Sequence, residues 1–310
     1  EGDFLMPGLF SSETTANQKR KNFRESLNAP QITTLPGAFN PLTAKLIEDI
    51  GGFSGVYVSG AVLANDLGLP DIGLTTLTEV AQRSGQIARA TELPVLVDAD
   101  TGFGEPMSAA RTIAALEDAG LAGCHLEDQV NPKRCGHLDG KEVVSTELMV
   151  RRISAAVGQR RDEDFVICAR TDAAGVNGID DAIERAKAYA EAGADLIFTE
   201  ALRTTEDFER FRAAVDTPLL ANMTEFGKTE LHNATTLESI GYNAVIWPVS
   251  SFRVAMGATE RFLRDLNEGG DQKSWLDDMQ HRSRLYELVR YEDYNAFDQD
   301  VFTYSPEQNL

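Results

Sequence analysis

From Gln31 onward, short runs of β-branched and apolar residues alternate with longer stretches whose apolar residues recur at three- and four-residue steps. This alternation is the pattern of a parallel sheet with helical crossovers. The short runs predict eight strands, at residues 32–38, 55–59, 95–98, 123–127, 165–170, 196–200, 219–222 and 244–248. The stretches between them predict helices that include 108–119, 146–157, 180–192 and 252–266. Eight strand-then-helix units predict an α/β fold of the closed (β/α)8, TIM-type barrel kind. A polar, helix-compatible segment at 11–28 precedes the first strand and is expected to cover the barrel bottom. Beyond Gly269, Trp275, Leu276, Met279, Leu285, Tyr286, Leu288 and Val289 outline a helical tail with an apolar face. That face needs a partner, either the chain's own barrel or a neighbouring subunit with which the tail is exchanged. The whole is read as a single barrel domain, 1–310, with an N-terminal helix at 11–28, the barrel at 31–268 and the tail at 269–310.

Composition narrows this picture. A chain of 310 residues, 42% hydrophobic and 25% charged, can bury one sizeable core. Its longest apolar runs are only strand-length, against the roughly 20 residues that a membrane helix needs, and no secretory leader is evident. A soluble, cytoplasmic protein is expected, with no membrane partner. The formal charge of -20 argues against nucleic acid, which is bound by clustered Lys and Arg. Cys124, Cys135 and Cys168 form neither a paired disulfide set nor a Cys-x-x-Cys element, which suits a reducing compartment.

Barrel enzymes work at the carboxyl ends of their strands, and polar residues collect there. Strand two ends in Tyr57-Val58-Ser59-Gly60, strand three in Asp98-Ala99-Asp100, strand four in Glu127-Asp128, strand five in Arg170-Thr171-Asp172 and strand six in Glu200. Strand seven ends in Asn222 and Thr224, and strand eight leads to Ser250 and Arg253. Asp98 and Asp100 are two apart, so an extended strand end would turn both carboxylates to one side, with Glu127 and Glu200 on neighbouring strands. Oxygen ligands of this kind suit Mg²⁺ or Mn²⁺, whereas zinc would call for more His or Cys. Any one of these acids by itself would be read as a helix cap or as an ion-pair partner of Arg170 or Arg253.

After strand four comes Lys133-Arg134-Cys135-Gly136-His137. A thiol between basic residues is expected to have a lowered pKa and to exchange protons near neutrality. Gly136 would let the backbone approach a ligand closely. With little apolar surface, the loop 129–141 is expected to be mobile until ligand carboxylates draw it in. Cys124 and Cys168 lie inside strands and read as small buried hydrophobes, and His125 reads as structural. Gly102-Phe103-Gly104 is too short for a dinucleotide fingerprint, and no Ser-His-Asp elbow is present.

The run Lys133-Arg134-Cys135-Gly136-His137 resembles the Lys-Lys/Arg-Cys-Gly-His signature of the isocitrate lyase/phosphoenolpyruvate mutase superfamily. Residues 97–104 are similar to its metal-binding strand, and the likeness extends through Leu126-Glu127-Asp128-Gln129, Ala169-Arg170-Thr171-Asp172, residues 222–227 and residues 250–253. Arg134 and the compact length resemble the 2-methylisocitrate lyases within it. The resemblance implies cleavage of (2S,3R)-2-methylisocitrate, a tricarboxylate, to pyruvate and succinate, as in the methylcitrate cycle of propionate catabolism. It also implies Mg²⁺ (or Mn²⁺) on Asp98 and Asp100 with Glu127 in the outer sphere, and a homotetramer. Cys135 would then protonate the succinyl carbon, Tyr57 act as base, and Arg170 and His137 stabilise developing charge. Ser59, Gly60, Ala61, Lys133, Arg134, Gly136, Glu200, Asn222, Thr224, Ser250 and Arg253 would bind substrate. Ala61 departs from the Gly of many relatives. An isocitrate lyase, an oxaloacetate decarboxylase or a phosphoenolpyruvate mutase are the alternatives on this scaffold; the last two generally lack the full Lys-Arg-Cys-Gly-His run. A non-catalytic barrel is the reading from another class.

Overall fold

The computed structural model describes residues 8–136 and 140–303. Eight parallel strands follow one another around a barrel: β1 (Thr33–Pro36), β2 (Val56–Val58), β3 (Val95–Asp98), β4 (Gly123–Glu127), β5 (Val166–Thr171), β6 (Leu196–Thr199), β7 (Leu219–Asn222) and β8 (Ala244–Trp247). β1 pairs in register with β8, and the remaining seam, β1 to β2, is closed by the Gly37–Tyr57 bridge and a 2.9 Å bond from the Ala38 N–H to the Tyr57 carbonyl. Each predicted strand is present, several trimmed by a residue or two at their ends.

The barrel strands are buried on both faces, which explains their near-continuous apolar character. Alternation by two divides them into layers. Leu35, Tyr57, Leu96, Cys168, Phe198, Leu220 and Ile246 fill the barrel interior. Val56, Val58, Val97, Cys124, Leu126, Ile167 and Val245 face outward and pack with the surrounding helices. Those helices are, after α1 (Ala16–Leu27), α2 (Pro41–Ile50), α3 (Gly60–Asp66), α4 (Leu77–Ala90), α5 (Pro106–Asp118), α6 (Thr146–Gln159), α7 (Ile179–Glu191), α8 (Thr205–Ala214), α9 (Ala234–Ile240) and α10 (Ser250–Gly269).

α1 is the expected cover of the barrel bottom, and the way it works explains its polar sequence. Phe23 and Leu27 join the interior cluster from below. The buried Lys19 ammonium donates to the Ala88 and Thr91 carbonyls, at 2.8 and 2.5 Å, at the end of α4. Arg20 donates to the Glu117 and Leu121 carbonyls, at 2.7 and 3.0 Å, at the end of α5. Two cations thus bind carbonyls at and just past the C-terminal ends of α4 and α5.

The tail forms α11 (Arg282–Leu288) and α12 (Tyr291–Thr303). It packs in part on its own chain: α11 lies against α2, Leu288 is buried, and the Phe10 and Tyr294 rings meet edge-on at 5.4 Å. Other apolar side chains of α10 and the tail remain exposed, Val254 by 73%, Leu263 by 54% and Phe302 by 89%. Among the described residues no helix is long and apolar enough to cross a membrane.

Candidate active site

The carboxyl ends of the strands hold a buried polar cluster with two halves. The first is built on β3. Asp98 ends the strand, and its Oδ1 accepts from the Asp100 N–H at 2.9 Å, while its Oδ2 accepts from the Gly60 N–H at 3.2 Å. The two carboxylates come together as expected, but not by strand alternation. Asp100 lies past the strand in the left-handed region, φ 47°, so a turn rather than the pleat swings it back toward Gly60. Gly60 must lack a side chain, since a Cβ there would stand 2.8 Å from Asp98 Oδ2. Ala201 and Phe226, past β6 and β7, share this backbone conformation at φ 58° and 60°, as is common where a site stores local strain.

Burial opposes ionisation of both acids. At Asp98 it is overcome by His125, Lys133 and Arg170, and the carboxyl falls to about 2. At Asp100 burial is joined by the Asp98 charge and prevails over Lys133, so the carboxyl rises to about 6. Burial drives His125 itself down to about 4. Near neutrality it therefore meets Asp98, 3.7 Å away, as a neutral imidazole, and Lys133 and Arg170 are the cations that act there. The Lys133 ammonium bridges Asp100 at 2.8 Å and Asp71 at 2.5 Å.

The second half centres on Arg170, at the end of β5. Its guanidinium contacts Asp172 at 2.9 Å, Glu200 at 3.1 Å and Glu127 at 3.3 Å, and lies over the Phe198 ring. Glu127 and Glu200 therefore do not converge with the Asp98–Asp100 pair as a fourfold acid cluster; the arginine draws them to itself. Burial pushes Glu127 well above the usual carboxylate range. Asn222 donates to Glu200 at 3.3 Å.

Lys133, Arg134, Cys135 and Gly136 lie across the mouth and line one cavity with Tyr57, Ser59, Ala61, Asp98, Arg170, Glu200, Asn222, Thr224 and Arg253. Polar contacts dock this loop: Gln129 holds the Arg134 backbone through two 2.8 Å bonds, and Lys133 is buried. Gly136 does approach something closely, but it is protein. A Cβ there would fall 2.4 Å from Arg170 and 2.6 Å from Glu200. Gly136→Ala is expected to lift the loop and lower kcat/KM by roughly tenfold or more, the scale of a small misplacement of reacting groups. Steady-state kinetics beside a thermal melt checks this, and parental kcat/KM would contradict it.

The structure positions the remaining candidates less directly. Ser250 donates to Glu225, and Arg253 contacts Glu225 at 2.8 Å and Thr224 at 3.5 Å, so Ser250 serves a carboxylate beside the cavity. Arg134 spends its guanidinium on the Pro132 and Lys133 carbonyls, both at 3.0 Å. His137 lies outside the described residues. Tyr57 meets His125 Nε2 at 2.7 Å, and burial followed by the Asp98 charge pushes its phenol well above its usual range. Held neutral in this way, Tyr57 is poorly suited to the base role that the resemblance implies. Sequence reasoning missed Asp71, which sits in an aperiodic turn with no signal of its own. It named Asp172 only as part of a strand end and a motif, without a role, and passed over Lys141.

The acceptors suit a hard cation. Among the described residues, Asp100 Oδ1 and both Glu127 oxygens are buried with no well-formed hydrogen bond, though ammonium or guanidinium groups lie near. Among the described residues, no three metal-binding side chains gather there to close a shell by themselves. That is the pattern for Mg²⁺, which is held by one or two carboxylates and keeps water and substrate oxygens.

The sequence matches the phosphoenolpyruvate phosphomutase family over residues 23–267. The chain belongs to the phosphoenolpyruvate mutase/isocitrate lyase superfamily. Within this superfamily it is 73% identical over 300 residues, 97% of either chain, to the protein named Probable 2-methylisocitrate lyase 2 of Corynebacterium glutamicum. It is 42% identical to the 2-methylisocitrate lyase of Bacillus subtilis, over 96% of this chain and 97% of that one. Among solved superfamily members, 2,3-dimethylmalate lyase has TM-score 0.86 and 31% identity, covering 94% of this chain and 96% of that one. A phosphonopyruvate hydrolase solved with oxalate and Mg²⁺ has TM-score 0.82 and 27% identity, covering 92% and 99%.

Proposed function

We propose that this superfamily member is a 2-methylisocitrate lyase that cleaves (2S,3R)-2-methylisocitrate to pyruvate and succinate. One observation carries the reading beyond the likeness to lyases of that name: the Cys135 thiol shares a cavity with the acid-bearing end of β3 and with Arg170. Cleavage of this substrate needs both ends of such a site. The hydroxyl end must lose a proton and become a ketone, and the carbon that departs must gain one.

In this reading Asp98 and Asp100 hold Mg²⁺ or Mn²⁺, with Glu127 nearby, and the cation when bound supplies Lewis-acid polarisation of the hydroxyl and its neighbouring carboxylate. Arg170, Asn222 and Thr224 orient the succinyl carboxylates and stabilise the charge that builds as the carbon-carbon bond breaks. Cys135 delivers its proton to that carbon, and the proton that the hydroxyl releases restores the thiol over the full cycle, so that protons balance. Ser59, Gly60, Lys133 and Arg253 provide further donors around the cavity. The cavity holds about 80 Å³, well short of the roughly 300 Å³ at which small-molecule pockets begin, so it must widen to admit a tricarboxylate.

The deciding experiment is product analysis with methylisocitrate and isocitrate side by side, with and without Mg²⁺. Pyruvate and succinate from the first substrate support the reading; turnover of isocitrate alone would reassign the chain to an isocitrate lyase. We also infer a reducing, cytoplasmic setting, which would keep the Cys135 thiol available. The exposed apolar residues of α10 and the tail support self-association into a closed symmetric assembly, and the resemblance to the superfamily is the ground for inferring a homotetramer. Sedimentation at micromolar concentration is expected to show the assembly, and a monomer there would refute it.

A further inference from the structure

We propose that Lys141 is a positioning residue: its ammonium ties the backbone carbonyl of Gly136, next to the Cys135 thiol, to the Asp172 carboxylate that holds Arg170. The thiol and the guanidinium, which both line the cavity, are thereby set at a fixed separation. Lys141 itself does not line that cavity.

The contacts leave this lysine little other purpose. Its side chain is only 4% exposed, and its Nζ donates to the Gly136 carbonyl and to Asp172 Oδ1, the latter at 2.9 Å. A buried ammonium is costly unless paired and hydrogen-bonded, and both of these partners belong to the frame of the site. Asp172 is fully buried, and the same Oδ1 accepts from Arg170 at 3.1 Å while Oδ2 accepts from Arg170 Nε at 2.9 Å. From beneath, Asp128 accepts from the Asp172 N–H at 2.9 Å, from Thr171 at 2.8 Å and from Tyr189 at 2.8 Å. Asp172 is therefore a rigid post. Gly136, for its part, abuts Arg170 and Glu200 so closely that no side chain fits. Its peptide is held on one face by that contact and at its carbonyl by Lys141. Room for the lysine is provided at Gly175, in the turn after β5, where a Cβ would already lie 3.3 Å from the Lys141 Cε and Nζ.

The test compares Lys141→Met and Lys141→Arg in the full chain. The kinetic arm rests on the lyase reading; the labelling arm does not. In the labelling arm, iodoacetamide modification is followed by peptide mass spectrometry, with the fully buried Cys124 and Cys168 as internal markers of an intact fold. For Lys141→Met, Cys135 is expected to react roughly tenfold faster while Cys124 and Cys168 stay protected, the mark of local rather than global opening. kcat should fall roughly tenfold or more with little change in KM, because proton delivery is misplaced while substrate binding is kept. Lys141→Arg, which restores a donor to Asp172, should recover most of the protection and of kcat. Unchanged Cys135 reactivity in a folded Lys141→Met protein would overturn the proposal. If Lys141→Met instead exposes Cys124 and Cys168, Lys141→Arg decides: protection supports the tie, and a folded protein with fast-reacting Cys135 overturns it. Should the parent show no lyase activity, the function proposal falls while the labelling result still stands.

Discussion

Cys135→Ser is expected to fold, to bind metal and products nearly as the parent does, and to turn over about a hundredfold or more slowly, the usual contribution of a positioned acid-base group. A hydroxyl keeps the shape of the thiol but is a much poorer acid near pH 7, so geometry survives while proton delivery fails. The structure sharpens the contrast with the other two thiols. Cys135 is half-buried and lines the cavity, whereas Cys124 and Cys168 are fully buried within β4 and β5. Burial pushes both of those thiols upward, which leaves them as inert protonated packing groups. Cys124→Ser and Cys168→Ser should therefore lose stability, by roughly 1–3 kcal/mol for a buried hydroxyl without a partner, and keep their rate. Single-turnover kinetics with parallel thermal melts distinguishes the cases. An active Cys135→Ser, or a folded but inactive Cys168→Ser, would sink the assignment.

Chelation is expected to abolish activity, with Mg²⁺ or Mn²⁺ restoring it, and Asp100→Ala should lose metal affinity in calorimetric titration while remaining folded. The pKa directions explain why the fold should survive. The folded Asp100 carboxyl titrates near 6, above the roughly 3.9 of an unfolded chain. Its ionisation therefore works against folding, with the cost absent at low pH and growing as pH rises from about 4 to about 6. Removing it relieves that cost at pH 7, and Lys133 keeps Asp71 as a partner. Asp98 has the opposite sign: its folded carboxyl lies near 2, so it adds stability above about 4 that is lost as pH falls toward 2. The His125 share of this is absent once the imidazole is neutral, but Lys133 and Arg170 still favour the Asp98 carboxylate at neutral pH, so Asp98→Ala should be the less stable variant there. Full turnover after exhaustive metal removal would exclude the metal role, and unchanged Mg²⁺ affinity in Asp100→Ala would remove that residue from the site.

What the sequence determined by itself is the scaffold and the inventory of chemistry. The two-residue rhythm of the strands and the three-to-four rhythm of the helices are local consequences of backbone geometry. They located all eight strands and placed Asp98, Glu127 and Arg170 at strand ends. The Lys133–His137 run announced its family by residue identity, and residues 23–267 match a family of that superfamily. Only the tertiary structure decided how these groups share their charges. Arg170 takes Glu127 and Glu200 away from the Asp98–Asp100 pair, Asp100 reaches that pair through a left-handed turn, and Asp71 arrives from a loop without periodicity. Lys141 is joined to Asp172 across 31 positions of chain. Ion pairs and close glycine contacts depend on distances between elements far apart in sequence, and no periodic pattern records them. The local rhythm sets which face a residue takes; the closing of the barrel sets which residue it meets.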